Sequence, residues 1–325
     1  MKHKPLASIS LDLDNKWSYM KTHGDENWIN YPSYYSIFVP YILEILEELD
    51  IKITFFIVGQ DAVSKENKAY LKQIADAGHD FGNHTFNHEV WINQYSREEV
   101  ETELENAEKA IFLATGKKVR GFRGPGFSWS YTLLEVLHDK GYLYDASTLP
   151  TFIGPFARMY YYWKSDFTKE EKKKRKSLFG KFSEGFRHLK PYYLKITEKK
   201  KILEIPVTTM PVFRIPFHMS YLLYISNISP ALMRMYLHFS IFMCKITRTP
   251  ISFLLHPLDI IGGDKITELA FFPGMNMQSE KKIKVFEEVI RTLKKHFELV
   301  DLKTHARSFS EKRIKTSVEP ELQHK

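Results

Sequence analysis

The stretch Gly82-Asn83-His84-Thr85-Phe86-Asn87-His88-Glu89 places two histidines four residues apart. At that spacing on a helical turn both imidazoles lie on one face, so both can bind a single metal ion. With 13 histidines in 325 residues, a pair of this kind also arises by chance. The pair points to chemistry only if other segments supply a carboxylate ligand and groups for acid–base catalysis.

The segments around the pair alternate between strand patterns and helix patterns. Short apolar or alternating runs predict strands at residues 7–13, 53–58, 119–122, 142–144, 251–255 and 297–302, and apolar order also returns at 202–207. Apolar residues at helical spacing predict helices at residues 33–49, 65–77, 97–114, 131–140 and 279–296. Ser96 and Glu99 form a capping box at the start of the third of these helices.

Polar groups capable of chemistry occur at the ends of five apolar runs. These groups are Asp12 and Asp14, His84 and His88, Arg123, Asp145, and His256. Alternating strands and helices with reactive groups at the strand ends are typical of a (β/α) barrel, whose active site gathers at the C-terminal ends of its strands. The sequence therefore predicts an α/β barrel with these groups in one place.

Asp12 and Asp14 lie on the same side of the first strand, because strand side chains repeat every two residues. Like charges this close are costly unless a cation lies between them. Two imidazoles and one carboxylate would leave a position for water, as catalytic zinc requires, and the second carboxylate would be free to act as a base. The same Asp-x-Asp pattern also occurs in glycosyltransferases that bind sugar nucleotides.

The ordered series SLDLDN, HTFNH, RGPGF, DAS and LLH resembles the five motifs of the polysaccharide deacetylases, the NodB-homology or carbohydrate esterase 4 family. The resemblance extends over residues 6–259. It implies a distorted (β/α)7 barrel and the metal-dependent hydrolysis of an N-acyl, usually N-acetyl, amino sugar.

Carried over residue by residue, the resemblance gives each motif a role. Asp12 corresponds to the general base, Arg123 to its partner, His256 to the general acid and Asp145 to the acid that orients this histidine. The implied metal ligands are Asp14, His84 and His88. The implied substrate-pocket residues are Thr85, which orients the histidine loop, Pro125, Gly126, Phe127 and Leu255, which lines the pocket for the acyl methyl group.

The motifs depart from the family pattern in three places. Leu13 separates two acids that are usually adjacent, and Asn15 stands where glycine is usual. The motif therefore leaves open which of Asp12 and Asp14 is the base and which is the metal ligand. Gly126 stands where an aromatic residue is common, and the tryptophan that often follows the fourth motif is absent. These departures affect the substrate groove more than the catalytic set.

The net charge of +8 comes from one section of the chain. Residues 151–250 contain 19 Lys and Arg and 6 Asp and Glu, whereas the remainder contains 28 basic and 33 acidic residues. We therefore predict one deacetylase-like domain at residues 1–306 that contains a basic, aromatic-rich insertion at 151–250 before the last barrel strands. The polar residues 307–325 are predicted to form a disordered tail.

The predicted partners follow from the same section. Residues 219–243 form a Met-rich and aromatic-rich amphipathic stretch that can lie in the protein core or against a membrane or lipid tail. Some relatives in the resembled family act on undecaprenyl-linked sugars, so a lipid-phosphate-linked sugar is one candidate substrate and peripheral membrane association one candidate state. A solvent-exposed basic face is the simpler alternative, and nucleic acid is not expected because no binding module is recognisable.

The N-terminal residues lead directly into a strand pattern, and the chain has one cysteine, Cys244. We therefore expect a cytoplasmic protein, with the inner face of the membrane as the alternative. The metal is predicted to be Zn²⁺, with Co²⁺, Fe²⁺ and Ni²⁺ also compatible with two imidazoles and a carboxylate. Two alternative functions are a deformylase of undecaprenyl-linked sugars and a ureide or imide hydrolase of the same superfamily. Two others are a glycosyltransferase that uses Asp12-Leu13-Asp14 and a binding protein without turnover.

Overall fold

A computed structural model describes residues 4–153, 185–309, 314 and 316–319. The helices are α1 (Lys16–His23), α2 (Tyr35–Glu48), α3 (Gly59–Val63), α4 (Lys65–Asp76), α5 (Arg97–Thr115), α6 (Tyr131–Asp139), α7 (Met219–Ile228), α8 (Pro230–Thr247), α9 (Ser279–His296) and α10 (Leu302–Ser308). The strands are β1 (Leu6–Leu13), β2 (Thr54–Ile57), β3 (Asp80–Asn83), β4 (Gly121–Phe122), β5 (Tyr144–Asp145), β6 (Tyr192–Lys195), β7 (Lys201–Glu204), β8 (Thr209–Met210), β9 (Ile215–Pro216), β10 (Ile251–Leu255), β11 (Glu298–Val300) and β12 (Ser317–Val318).

Parallel strands in the order β10-β1-β2-β3-β4-β5-β7 form the main sheet. Strand β11 also pairs with β1, while β6 runs antiparallel to β7 and pairs with β12. Beyond β7, the Thr208 backbone N–H donates to the Ser252 carbonyl at 3.0 Å, and the Ser252 N–H donates to the Thr208 hydroxyl at 2.7 Å. These contacts join the two ends of the parallel order, so the α/β fold has the arrangement of a distorted seven-stranded barrel, as predicted.

The two faces of β1 have different surroundings. Ile9, Leu11 and Leu13 belong to the main hydrophobic core, which the sheet forms with the surrounding helices. Ser10 and Asp12 alternate with them and therefore point to the opposite, polar face. The register also aligns Ser8 of this face with Ser252 of β10, so polar side chains lie side by side on the two strands.

The section at 151–250 is only partly an insertion. Strand β7 lies inside it and pairs with β5 in the main sheet, because its residues 202–204 are buried like those of a core strand. The prediction that the barrel strands resume only after residue 250 is therefore wrong. The predicted aromatic segment at 160–163 and the basic run at 172–176 lie outside the described residues.

The prediction of a disordered tail from residue 307 is wrong where the structure describes this part of the chain. Helix α10 continues to Ser308, and β12 pairs with β6 through Ser317 and Val318. Backbone hydrogen bonding stabilises this edge although the side chains are mostly polar. Among the described helices, none is long and apolar enough to cross a membrane.

Gly82 allows two strands to approach closely inside the sheet. It pairs with Phe56 of β2, and a Cβ atom at position 82 would lie 2.3 Å from two carbons of the Phe56 ring. The same ring stacks under the Arg123 guanidinium, whose central carbon lies 4.4 Å from the ring centroid. The small residue at 82 therefore places an aromatic ring beneath a charged group at the centre of the barrel.

Replacing Gly82 by alanine should destabilise the protein by about 1–3 kcal/mol, because overpacking forces the ring off its position. In a Phe56→Leu background the same replacement should cost clearly less, since the clashing ring is gone. Urea unfolding of the four proteins measures both costs. Equal costs in the two backgrounds would contradict the contact.

Candidate active site

The two histidines of the opening stretch lie on a loop that follows β3. The expectation of a helical turn is wrong, because Thr85 and His88 adopt left-handed backbone conformations with φ of 64° and 53°. The Thr85 hydroxyl accepts a hydrogen bond from the His88 backbone N–H at 3.1 Å, and Asn83 accepts one from the Thr85 N–H at 2.8 Å. Left-handed threonine costs about 1–2 kcal/mol, so side-chain contacts hold this loop in a strained form.

A buried glutamate also stabilises this loop. Glu103 of α5 accepts hydrogen bonds from the backbone N–H groups of Phe86 and Asn87 at 2.8 and 3.0 Å. It also accepts from the Asn87 side chain. Helix α5 thus fixes the segment between the two histidines.

Asp14, His84 and His88 form a group with the geometry of a metal site. Their ligand atoms lie within 4.8 Å of one another. The Asp14 Oδ1 atom is 3.0 Å from His88 Nε2 and 3.6 Å from His84 Nε2, and it is buried without a hydrogen-bond partner. Burial alone would raise the pKa of Asp14, but the charges of His88 and His84 lower it to about 2. A carboxylate kept ionised beside two imidazoles is a donor set that suits a divalent cation.

The backbone of Arg123 orients one of these ligands. His84 Nδ1 lies 2.6 Å from the Arg123 carbonyl oxygen. A proton on Nδ1 leaves Nε2 as the lone-pair nitrogen on the side of Asp14. Contacts of this kind fix the tautomer and the ring orientation of metal-binding histidines.

The Arg123 side chain is fully buried and binds Asp12. Its Nη1 atom donates to Asp12 Oδ1 at 2.6 Å and to the Ser10 hydroxyl at 3.0 Å, and Nε donates to the Ala146 carbonyl at 3.0 Å. The structure therefore separates the two carboxylates that the sequence left interchangeable. Asp12 faces the guanidinium, and Asp14 faces the histidines.

His256 follows β10, and the carboxylate beside it is Asp259. The Nδ1 atom lies 3.7 Å from Asp259 Oδ2 and 3.4 Å from the Ser220 hydroxyl, while the His256 backbone N–H donates to Asp259 at 2.8 Å. Burial lowers the pKa of His256, but the carboxylates of Asp259, Asp12 and Asp14 outweigh it and raise the pKa to about 9. The geometry thus favours an imidazolium at this position.

The expectation that Asp145 orients His256 is wrong. The Asp145 carboxylate accepts from the Ser147 hydroxyl at 2.5 Å, and Ser147 in turn accepts from the Gly124 N–H at 2.9 Å. Asp145 also pairs in register with Glu204 of β7. Burial raises the pKa of both acids, and the charge of Asp145 raises the pKa of Glu204 further. Asp145 therefore anchors the loop after Arg123.

A cavity of about 310 Å³ brings most of the site together. Its lining includes Asp12, Asp14, His84, His88, Gly126, Phe127, His256 and Asp259, together with the apolar wall Tyr19, Val90, Leu258, Phe272 and Pro273. Its volume is at the lower end of the range for ligand pockets. Gly126 and Phe127, which line part of the cavity, both have left-handed backbone conformations, with φ of 59° and 61°.

Leu255, predicted to line the acyl pocket, is buried in the hydrophobic core instead. Its register partner is Leu11, which lies on the helix-facing side of the sheet. Leu258, three residues later, lies in the cavity wall. Thr85 and Pro125 are also buried and support the two loops rather than lining the cavity.

Sequence reasoning missed Asp259 and Glu204. The signal for Asp259 was its position three residues after His256, where an acid can complete a capping box. Asp259 ends the short 3₁₀ turn Pro257–Asp259 and accepts a hydrogen bond from the His256 backbone N–H. Glu204 ends β7 in the way that Asp145 ends β5. A sixth strand-end group was therefore present in the sequence.

Comparisons with known proteins find sequence similarity to polysaccharide deacetylases. A family model described as "Polysaccharide deacetylase" matches residues 21–144. The chain is 37% identical over 103 residues to a chitooligosaccharide deacetylase from Azorhizobium caulinodans, covering 31% of this chain and 48% of that protein. It is 26% identical over 163 residues to a peptidoglycan deacetylase from Helicobacter pylori, covering 48% and 54%.

Residues 21–144 of the chain are therefore similar to the polysaccharide deacetylase family. The segment matched by the family model contains His84, His88 and Arg123. The chain spans about half the length of the curated relatives it matches. The crystal structure of a "putative polysaccharide deacetylase" from Mycobacterium smegmatis has the same fold, with a TM-score of 0.59 at 18% identity over 99% of this chain and 96% of that one.

In metal-free protein, replacing Asp259 by asparagine should lower the pKa of His256, because the nearest negative charge is removed. The histidine pKa is raised from 6.5 to about 9, so the pair stabilises the fold fully below pH 6.5 and loses this contribution as the pH rises through 9. The difference in unfolding free energy between wild type and Asp259→Asn should therefore shrink over that interval.

The control is the same replacement in a His256→Gln background, where the pH-dependent difference should vanish. Urea unfolding at several pH values measures all four proteins. A wild-type difference that does not change with pH would contradict the pairing.

Proposed function

We propose that this protein hydrolyses an N-acyl group, in the first place N-acetyl, from an amino sugar in a metal-dependent reaction. One observation carries the proposal: Asp14, His84 and His88 converge in the same cavity as the Asp12 carboxylate and the His256 imidazole. A carboxylate base, a cationic acid and a donor set for a cation are the groups that amide hydrolysis needs.

Asp14, His84 and His88 would hold the cation. Zn²⁺ is our first proposal, and Co²⁺, Fe²⁺ and Ni²⁺ also accept this donor set. When bound, such an ion supplies Lewis acidity toward a water molecule and an amide oxygen. The other catalytic groups that we propose are side chains and backbone amides of the protein.

Asp12 accepts the proton of the attacking water. Its Oδ1 atom accepts a hydrogen bond from Arg123 Nη1 at 2.6 Å, which fixes the direction of the carboxylate. As the water oxygen bonds to the acyl carbon, negative charge develops on the amide oxygen. The Phe127 N–H donates to the Gly124 carbonyl at 3.0 Å, so the Gly126 amide is the backbone donor that we propose for this charge.

His256 donates a proton to the departing amine as the carbon–nitrogen bond breaks. The imidazolium is available because Asp259 and the two other carboxylates of the site raise its pKa. A bound cation would reduce that rise, bringing the pKa closer to neutrality, where general acids are most efficient. The products are a carboxylic acid and an amino sugar.

The proposed substrate class follows from the relatives and the cavity. The names of two relatives specify chitooligosaccharide and peptidoglycan, both of which carry N-acetyl amino sugars. The apolar wall formed by Val90, Leu258 and Phe272 lies in the same cavity as the ligand set and suits a short acyl group. A lipid-linked amino sugar and an N-formyl group are the further members of the class to be tested.

Two variants separate metal binding from catalysis. His88→Ala should lose the metal, because one of three ligands is removed, whereas Asp12→Asn should retain it and lower kcat by about 10²–10⁴-fold. Metal analysis and the release of acetate or formate from free and lipid-linked amino sugars measure both effects. Urea unfolding controls for loss of structure, since Asp12 neutralises a buried arginine.

Stoichiometric metal in His88→Ala would remove this residue from the ligand set. Unchanged turnover in folded Asp12→Asn would remove Asp12 from the mechanism.

A further inference from the structure

Helix α8 carries a continuous apolar stripe on its exposed side. The stripe consists of Leu232, Met235, Phe239, Phe242 and Ile246, all exposed and spaced three or four residues apart. At that spacing they lie on one face of the helix. The opposite face is already buried in the core, so the stripe is additional to the packing of the fold.

Neighbouring elements extend this stripe into a surface. Phe213, in the turn between β8 and β9, contacts Phe239, and Phe239 stacks on Phe242. Tyr224 and Ile228 lie on α7, the helix directly before α8, and are 67% and 66% exposed. We call these eight residues the α7–α8 surface. Soluble monomers rarely expose an apolar patch of this extent without a partner.

The charged side chains on the segment that carries the α7–α8 surface are all basic. Arg234, His238 and Lys245 are exposed and follow one edge of the stripe along α8, with Arg248 at the end of the helix. No Asp or Glu occurs between residues 205 and 258. Arg234 pairs with Glu288 of α9, whereas Lys245 and Arg248 form no ion pair with any residue that the structure describes. An apolar face flanked by Lys and Arg is the pattern of helices that lie in the surface of an anionic bilayer.

A groove connects this surface to the catalytic cavity. It has a volume of about 560 Å³ and is lined by Leu223, Tyr224 and Asn227 of α7 and by the apolar side chains Leu258, Phe271, Phe272, Pro273 and Met277. Ser220, Leu258, Asp259, Phe272 and Pro273 line both the groove and the catalytic cavity. The groove, which has both apolar and polar lining residues, therefore extends from the wall of the catalytic cavity to the exposed ring of Tyr224.

We propose that the α7–α8 surface docks on an anionic lipid bilayer, with the groove leading from the bilayer to the catalytic cavity. The apolar stripe enters the headgroup region while Lys245 and Arg248 contact lipid phosphates. Docking depends on this surface alone. The further step, that the amino-sugar substrate is anchored in that bilayer, rests on the proposed deacylation.

Sedimentation with lipid vesicles tests the docking without any assay of turnover. The full chain should bind vesicles of equal parts phosphatidylcholine and phosphatidylglycerol, bind phosphatidylcholine vesicles weakly, and lose affinity as salt is added. The double variant Phe239→Ser/Phe242→Ser should lower the partition coefficient by about tenfold or more, because two apolar side chains no longer enter the bilayer. Both residues are exposed, so the fold should be retained.

The matched control is Phe112→Ser/Leu113→Ser on α5. These side chains are also exposed, but they lie on a different helix, outside the α7–α8 surface. Vesicle binding by the control should equal that of the wild type. Equal loss in both double variants would overturn the proposal, as would absence of binding by the wild type.

A second copy of the chain is the competing occupant of the surface. Sedimentation velocity should show the same association state for the wild type and Phe239→Ser/Phe242→Ser. A wild-type dimer that the variant abolishes, together with no vesicle binding, would assign the surface to self-association instead. Vesicle binding by a protein without deacylase activity would support docking while contradicting the proposed reaction.

Discussion

The buried guanidinium of Arg123 is the constraint on which the site depends. It binds Asp12 and Ser10 on β1 and the Ala146 carbonyl after β5, while the Arg123 backbone carbonyl orients His84 after β3. Removing the counter-charge of a buried arginine costs about 3–5 kcal/mol, so these contacts contribute to the stability of the barrel as well as to the geometry of the site.

This arrangement divides the work between two neighbouring carboxylates. Asp12 and Asp14 are two residues apart on one strand end, yet Asp12 contacts a fixed cation of the protein and Asp14 contacts two imidazoles. The environment of each carboxylate decides its role, since the residue type is the same. His256 lines the same cavity with its own carboxylate, Asp259, so the proposed acid and base have separate electrostatic partners.

The sequence predicted the fold and the gathering of the strand-end groups because parallel strands end at the same edge of a sheet. It also predicted that Thr85 supports the histidine loop. It did not predict which residues contact one another within the gathered set. The partner of His256 depends on the turn after β10. The side of the sheet on which Leu255 lies depends on its register with Leu11. The conformation of the loop that carries His88 depends on Glu103, which comes from a helix later in the chain. Register and loop contacts of this kind are tertiary properties that motif order does not contain.

The most direct test of the proposed reaction is product stoichiometry with metal-reconstituted protein and an N-acetylated chitooligosaccharide. The account predicts that acetate and free amine appear in equal amounts, that a chelator stops both, and that added metal restores both. Folded protein with one bound metal ion that releases neither product, from acetylated or formylated amino sugars, free or lipid-linked, would contradict it.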